Sequence, residues 1–195
     1  MSQQLNNTIL LINTALQEAS VGIAVDGKLI DQISNLSQKE HASFLHPAIQ
    51  SICKKNDITL KSLKAVSVIN GPGSYTGLRV SLSAAKGICY ANQIPLICIN
   101  TLEWLAFGNR AQAKDLIVPM IDARRMEVYA AIYDKNLNAV RETKAEIIDS
   151  SIFAPSIAIA LSYPALRRLI TSALPSTKII QGESNTPELH VSLDG

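Results

Sequence analysis

Apolar and polar positions follow two different rhythms along this chain, and the changes of rhythm mark its elements. Thr8 to Ile12 is a short apolar run ending in Asn13-Thr14. Val21 to Val25 is a second, and the Asp26-Gly27 pair behind it is a strong two-residue hairpin signal. Lys28 to Ser34 then sets Leu29, Asp31 and Ile33 against Ile30 and Gln32, as a half-exposed third strand. The rhythm changes after Ser37-x-x-Glu40, the pattern of a capping box. Beyond it His41, Phe44, Leu45, Ala48, Ile49, Ile52 and Cys53 recur at the spacing of one helix face, which Pro47 is expected to bend. Ala65 to Ile69 is rich in β-branched residues and reads as a buried strand. A second helix spans Leu78 to Ala91, a strand spans Leu96 to Ile99, and Asn100-x-x-Glu103 caps a third helix with Leu102, Leu105 and Ala106 inward.

Lys114-Asp115 is the expected boundary between two lobes, 1–113 and 114–195. Past it, Leu116 to Ile121 is a strand that runs into Asp122-Ala123-Arg124-Arg125, and Glu127 to Tyr133 is a strand with two distinct faces. After Asp149 Ser, Ala, Ile and Pro dominate; Pro164 to Ala173 suggests a short helix, Lys178 to Gln181 a strand, and Gly182 to Gly195 a loose polar end. No internal repeat is visible. Three antiparallel strands followed by helix, strand and helix is the order of a ribonuclease H-like lobe, the unit of the actin, Hsp70 and sugar-kinase group.

Composition narrows the classes. With 47% hydrophobic and 17% charged residues, the chain reads as a soluble globular α/β protein. A net charge of +2 is too small for a nucleic-acid binder acting by phosphate neutralisation, so any RNA connection needs a partner. Cys53, Cys89 and Cys98 sit among apolar neighbours and form no CxxC pair, the pattern of buried thiols in a reducing compartment. Met1 to Asn7 lacks the features of a signal peptide, and the run Ile152 to Leu161 is too short to span a bilayer. The expected location is cytoplasmic.

Candidate chemistry centres on Gly71-Pro72-Gly73-Ser74-Tyr75-Thr76-Gly77-Leu78-Arg79, which joins a strand end to a helix start. Such joints collect sites in open α/β folds because helix-start amides face outward. The loop lacks the Lys-[Ser/Thr] of a P-loop, and its GxGxxxG spacing is one residue longer than the dinucleotide fingerprint. It reads equally as a tight turn. His41 and His46 lie five residues apart, roughly 140° around a helix, which does not suit a shared metal. Ser81, Ala84, Ala85 and Ile88 make one side of the second helix small, either to pack internally or to admit another subunit's helix. Asp122 with Arg124 and Arg125 is a local ion-pair turn or an anion or partner contact.

These pieces together resemble the TsaB (YeaZ) family of threonylcarbamoyladenosine biosynthesis on tRNA. The matching segments are Ile12 to Ala15, His41 with Leu45-His46-Pro47, Gly71 to Arg79, Ala85-Lys86-Gly87, Thr101-Leu102-Glu103, and Ile121 to Arg125 with Glu127-Val128-Tyr129. The resemblance covers residues 8 to about 134. Asn13 stands where the family usually has Asp, and residues 150–195 depart from the family pattern. The resemblance implies a two-lobed, actin-like fold with a short or divergent second lobe, and a non-catalytic scaffold with no cofactor or metal of its own. It implies a heterodimer with TsaD, which would hold ATP and metal and transfer threonylcarbamoyl to the adenosine beside the anticodon. A small ATPase, TsaE, would join them; tRNA would be met only through the complex, and the free chain would be a homodimer. The implied interface uses the helices around His41, Leu45 and Ile49, and around Ser81, Ala84, Ala85 and Ile88. The fold relatives permit another class, an autonomous ATP-dependent phosphotransferase. A protease is the least supported, because no HExxH pattern or Ser-His couple is present.

Overall fold

The most completely apolar strands take the middle of the first sheet. The computed structural model of the protein describes residues 7–37, 40–113, 116–125, 127–147, 157–161 and 179–181. In it β1 (Thr8–Asn13) lies between antiparallel β2 (Ala19–Val25) and parallel β4 (Ala65–Ile69). The edges are β3 (Lys28–Asn35) and β5 (Leu96–Ile99), giving the order β3-β2-β1-β4-β5. All of β4 is buried, whereas edge strand β3 leaves Ile30 exposed. Asp26 and Gly27 have φ of 49° and 78°, so the β2–β3 hairpin turns through two left-handed residues, as the Asp-Gly pair predicts.

Helices α1 (His41–Lys55) and α2 (Tyr75–Asn92) pack on this sheet. Leu10, Val21 and Ile23 from the strands, Leu45 and Ile52 from α1 and Ala85 from α2 share one core. The helix continues through Pro47, which sits on its exposed side. The expected capping box does not form: Glu40 makes no side-chain cap bond, and its carboxylate instead accepts the Asn35 amide at 3.3 Å. At the other end of α1, Lys55 Nζ lies 2.8 Å from Asp31 of β3, and Asn56 Nδ2 donates to the same carboxylate at 2.9 Å. Those donors, Lys55 first, hold the Asp31 carboxyl below its ordinary value.

The chain divides into two compact units between Ile99 and Asn100, ahead of the boundary expected at Lys114. The reason is α3 (Thr101–Asn109), whose buried Leu102, Leu105 and Ala106 lie against strands β6 (Leu116–Arg124) and β7 (Glu127–Asp134). Asn100 caps α3 as expected, its Oδ1 accepting the Leu102 amide at 2.8 Å. The second sheet has the order β10-β9-β6-β7-β8, completed by β8 (Ala139–Ile147), β9 (Ile157–Leu161) and the short β10 (Ile179–Gln181). Its central β6 pairs antiparallel with β7 and parallel with β9. Read from β8, this repeats the first sheet's pattern of three antiparallel strands followed by two parallel ones. One ribonuclease H-like arrangement therefore occurs twice, which is the actin-like fold. The helix expected at Pro164 to Ala173 and the polar end from Gly182 lie outside the described residues.

Tyr133 on β7 supplies a testable titration. Burial, then the Glu103 and Glu142 carboxylates, disfavour its phenolate and push it up from 10.0 to about 12. The folded state therefore holds this proton more tightly than the unfolded chain does. Its contribution is complete below pH ~10 and is lost as pH climbs to ~12. Tyr133→Phe is expected to flatten that alkaline fall, measured as thermal midpoints from about pH 9 to about pH 12.

Candidate docking face and glycine-rich joint

The glycine-rich loop is pressed against the end of β1. Gly71 has φ of +115°, a region that favours glycine, and the Gly71-Pro72 bond is cis. The Ser74 amide donates to the Ala15 carbonyl at 2.7 Å, and the Ser74 hydroxyl caps α2 by accepting the Gly77 amide at 3.3 Å. The Thr14 hydroxyl, fully buried, donates to the Gly77 carbonyl at 2.7 Å. A Cβ on Gly73 would overlap the Ala15 carbonyl, and one on Gly77 would overlap the Thr14 carbonyl. The glycines thus let two stretches of backbone touch. Asn13 joins the same arrangement, its Oδ1 accepting the Ala15 amide at 3.1 Å. The loop is a joint between the β1–β2 connection and α2, and the Ser74 and Gly77 amides are already engaged. Pro72 is half-buried within it, whereas Thr76 and Arg79 are exposed; Arg79 Nη1 donates to the Tyr75 hydroxyl at 2.8 Å.

The helical residues expected at an interface separate into two groups. His41, Leu45, Ile49, Ser81 and Ala85 are buried within the first unit, which corrects the expectation that they meet a partner. His41 is 3% exposed and its Nε2 donates to the Gln17 carbonyl at 3.1 Å, so it ties α1 to the β1–β2 connection. The Ser81 hydroxyl bonds back to the Gly77 carbonyl at 3.1 Å. Ala84 and Ile88 are the two that reach the surface. With Val80, Ser83 and Gly87 of α2 and His46 of α1 they line an open groove of about 630 Å³. Gly87, legible in the sequence as part of Ala85-Lys86-Gly87 beside the small side of α2, was not among the residues expected at the interface, yet it lines the groove. It lies inside a helix, it needs no left-handed backbone, and a Cβ there would meet nothing within 4 Å. Its signal is a helix glycine that the fold does not require, since glycine there is unfavourable by roughly 0.5–1 kcal/mol relative to alanine. Tyr75 and Tyr90, 73% and 82% exposed, stand at the two ends of the same helix.

In the second unit Asp122, Arg124 and Arg125 form the β6–β7 turn. The Asp122 carboxylate accepts the Arg124 backbone amide at 2.7 Å, so it shapes the turn through the backbone. Arg124 and Arg125 take φ of 69° and 55° and are exposed. Cys53 and Cys89 are buried, and burial pushes both thiols up; Cys98, expected buried, is exposed on edge strand β5. Among the described residues no group of three His, Cys, Asp or Glu side chains could hold a metal ion, and no described helix is long and apolar enough to cross a membrane.

Comparison with known proteins gives these two units a family. Residues 33–188 match the family described as TsaD, tRNA N6-adenosine threonylcarbamoyltransferase. The tRNA threonylcarbamoyladenosine biosynthesis protein TsaB of Escherichia coli is 33% identical over 70% of this chain and 61% of its own length. Its Bacillus subtilis counterpart is 32% identical over 65% of this chain and 55% of its own length. YeaZ from Pseudomonas aeruginosa superposes with a TM-score of 0.69 at 23% identity, covering 79% of this chain and 75% of that one. The chain belongs to the TsaB/YeaZ family. It spans about three-fifths of the length of these curated relatives. A further solved structure, described as an uncharacterized protein with similarity to peptidase YEAZ from Pseudomonas aeruginosa, has a TM-score of 0.73 at 20% identity and covers 90% of this chain and 82% of its own. Within the TsaB/YeaZ frame, the signature loop is the joint at Thr14-Ala15, and the open groove lies between the two helices beside it.

Proposed function

We propose that this chain is a non-catalytic accessory subunit of threonylcarbamoyladenosine formation on tRNA, acting in the cytoplasm by docking a TsaD-type subunit on the α1/α2 face. The observation that carries the reading is the groove with Gly87 at its surface. A helix gains stability by replacing such a glycine, and what glycine offers in return is close approach of a second backbone. The family relationship supports the choice of partner, since the E. coli and B. subtilis relatives are named for this pathway. Catalytic transfer, ATP and metal belong to the partner, a TsaE-type ATPase joins the assembly, and tRNA is met through the complex. The loop geometry supports a scaffold role: its glycines accommodate this chain's own carbonyls, and Asn13 is held in a turn.

Light scattering after size exclusion tests the reading, with the chain alone and mixed with the TsaD-type subunit from the same source. A 1:1 heterodimer is expected. Ala84→Glu is expected to abolish it, because a carboxylate forced into a closing groove without a partner is strongly unfavourable. Separate elution of the two subunits, or full association of the Ala84→Glu variant, would overturn the assignment.

A further inference from the structure

We propose that the Arg124-Arg125 turn of the second unit is a contact for the phosphate backbone of tRNA within the assembled complex. It rests on the tRNA pathway proposed above and adds a surface of this chain, away from α1 and α2, where the RNA is met. The turn carries residues that its backbone does not favour. Hairpin turns in left-handed backbone are the place of Asn, Asp and Gly, because a larger side chain crowds its own main chain there. Here two consecutive arginines take φ of 69° and 55°. Nothing in the bonding of the turn calls for arginine. Asp122 pairs with Val128 and Arg124 with Glu127, and the bond that shapes the turn runs from the Arg124 backbone amide to the Asp122 carboxylate. Local preference is thus broken twice in succession with no gain to the fold, the pattern expected where a side chain serves a ligand.

Both side chains are left over. The two arginines are exposed, and among the described residues neither guanidinium has a hydrogen-bond or ion-pair partner. Carboxylates flank the turn, Asp122 before it and Glu127 after it, yet neither engages a guanidinium. Arg141 on neighbouring β8 is different: it lies 2.9 Å from Glu146 and belongs to the sheet. The local ion-pair turn that the sequence allows is therefore absent, which leaves an anion from outside the chain.

An arginine fork suits carboxylate and phosphate alike, and the surface beside this one favours phosphate. Tyr129, two residues beyond Glu127 on β7, is 37% exposed. Ile147, opposite Glu127 on β8, is 62% exposed. Unpaired cations next to an accessible aromatic ring form the combination that takes nucleic-acid backbone with a base laid on the ring. Two charges are too few to hold RNA alone, in keeping with the chain's net +2, but they add to a complex that already grips it.

Salt dependence reads such contacts directly, because each phosphate neutralised contributes about 0.7–0.9 to the slope of log K against log salt concentration. Fluorescence anisotropy of labelled tRNA is to be measured on the complex with the TsaD-type subunit, between about 0.05 M and about 0.2 M NaCl. Arg124→Asn combined with Arg125→Asn is expected to weaken tRNA binding about ten-fold and to reduce the slope by about 1.5. The thermal midpoint of the free chain should hold or rise in the same variant, because asparagine suits the left-handed turn. Its association with the TsaD-type subunit should be unchanged, and Arg124→Lys with Arg125→Lys should keep the wild-type slope. Wild-type tRNA affinity and slope in the asparagine variant would overturn the inference and leave the docking reading standing. Loss of the heterodimer in that variant would assign the arginines to a carboxylate of the partner protein and overturn it as well. Failure of the wild-type subunits to associate would remove the docking reading, and this inference with it.

Discussion

Gly77→Ala is expected to destabilise the protein by about 3 kcal/mol or more, lowering the thermal midpoint by about 6–12 °C for a chain of this size. Propensity alone has the opposite sign, because alanine in place of a helix glycine stabilises by up to about 1 kcal/mol. Gly77 lies in the first turn of α2, with the Thr14 carbonyl where a Cβ would be and the Thr14 hydroxyl bonded to its own carbonyl. Neither obstacle is the free end of a flexible side chain, so relief requires moving α2 away from β1. That movement would also break the bond from the Ser74 amide to Ala15. Gly73→Ala meets the Ala15 carbonyl and is expected to behave alike. Differential scanning calorimetry reads the result directly; a midpoint at or above wild type for Gly77→Ala would show that the joint is looser than described.

Gly87→Gln should do the reverse: keep or raise the stability of the free chain while weakening association with a TsaD-type subunit about 30- to 100-fold. The first half follows from helix propensity, worth roughly 0.5–1 kcal/mol at a position where the added Cβ meets nothing. The second half follows from placing a long side chain at the solvent-facing Gly87 on the groove, where loss of close packing with a partner is worth about 2–3 kcal/mol. Calorimetric titration and a thermal scan on the same preparation give both numbers. Their opposite signs matter, because a misfolded variant loses stability and binding together. Unchanged affinity would place the contact elsewhere.

The contrast between these two glycines shows what the chain discloses on reading. Each lies in a helix and each belongs to a recognisable segment, but spacing does not tell a glycine pressed on a carbonyl from one facing solvent. The first sheet was legible because its strands are short, apolar and punctuated by Asp26-Gly27 and the glycine loop. The second was legible as far as β7 and again at β10, where Lys178 to Gln181 reads as a strand. Strand β8 (Ala139–Ile147) shows no alternation, since register shifts against β7 break its period and most of its residues are exposed. The duplication of the sheet was hidden for a related reason: topology repeats while residues do not. At the candidate face the helical stripe located both helices, yet their inward residues, such as Leu45 and Ala85, stood out more than the outward ones. Hydrophobic periodicity marks what a helix buries in its own core. The residues left for a partner are small and polar, and only Ala84 and Ile88 of those expected reach the groove.

The bond between Thr14 and Gly77 spans 63 positions of chain. Closing a loop of that length costs chain entropy that local turns and helices do not, so a contact of this separation is expected to form late. The joint is therefore expected to act chiefly as a brake on opening, because interactions absent from the folding transition state change the unfolding rate and leave the folding rate nearly untouched. The glycine loop then sets how long a folded molecule lasts rather than how readily one forms, so its failure would show as a shortened lifetime under proteolysis in a protein that still folds at its normal speed.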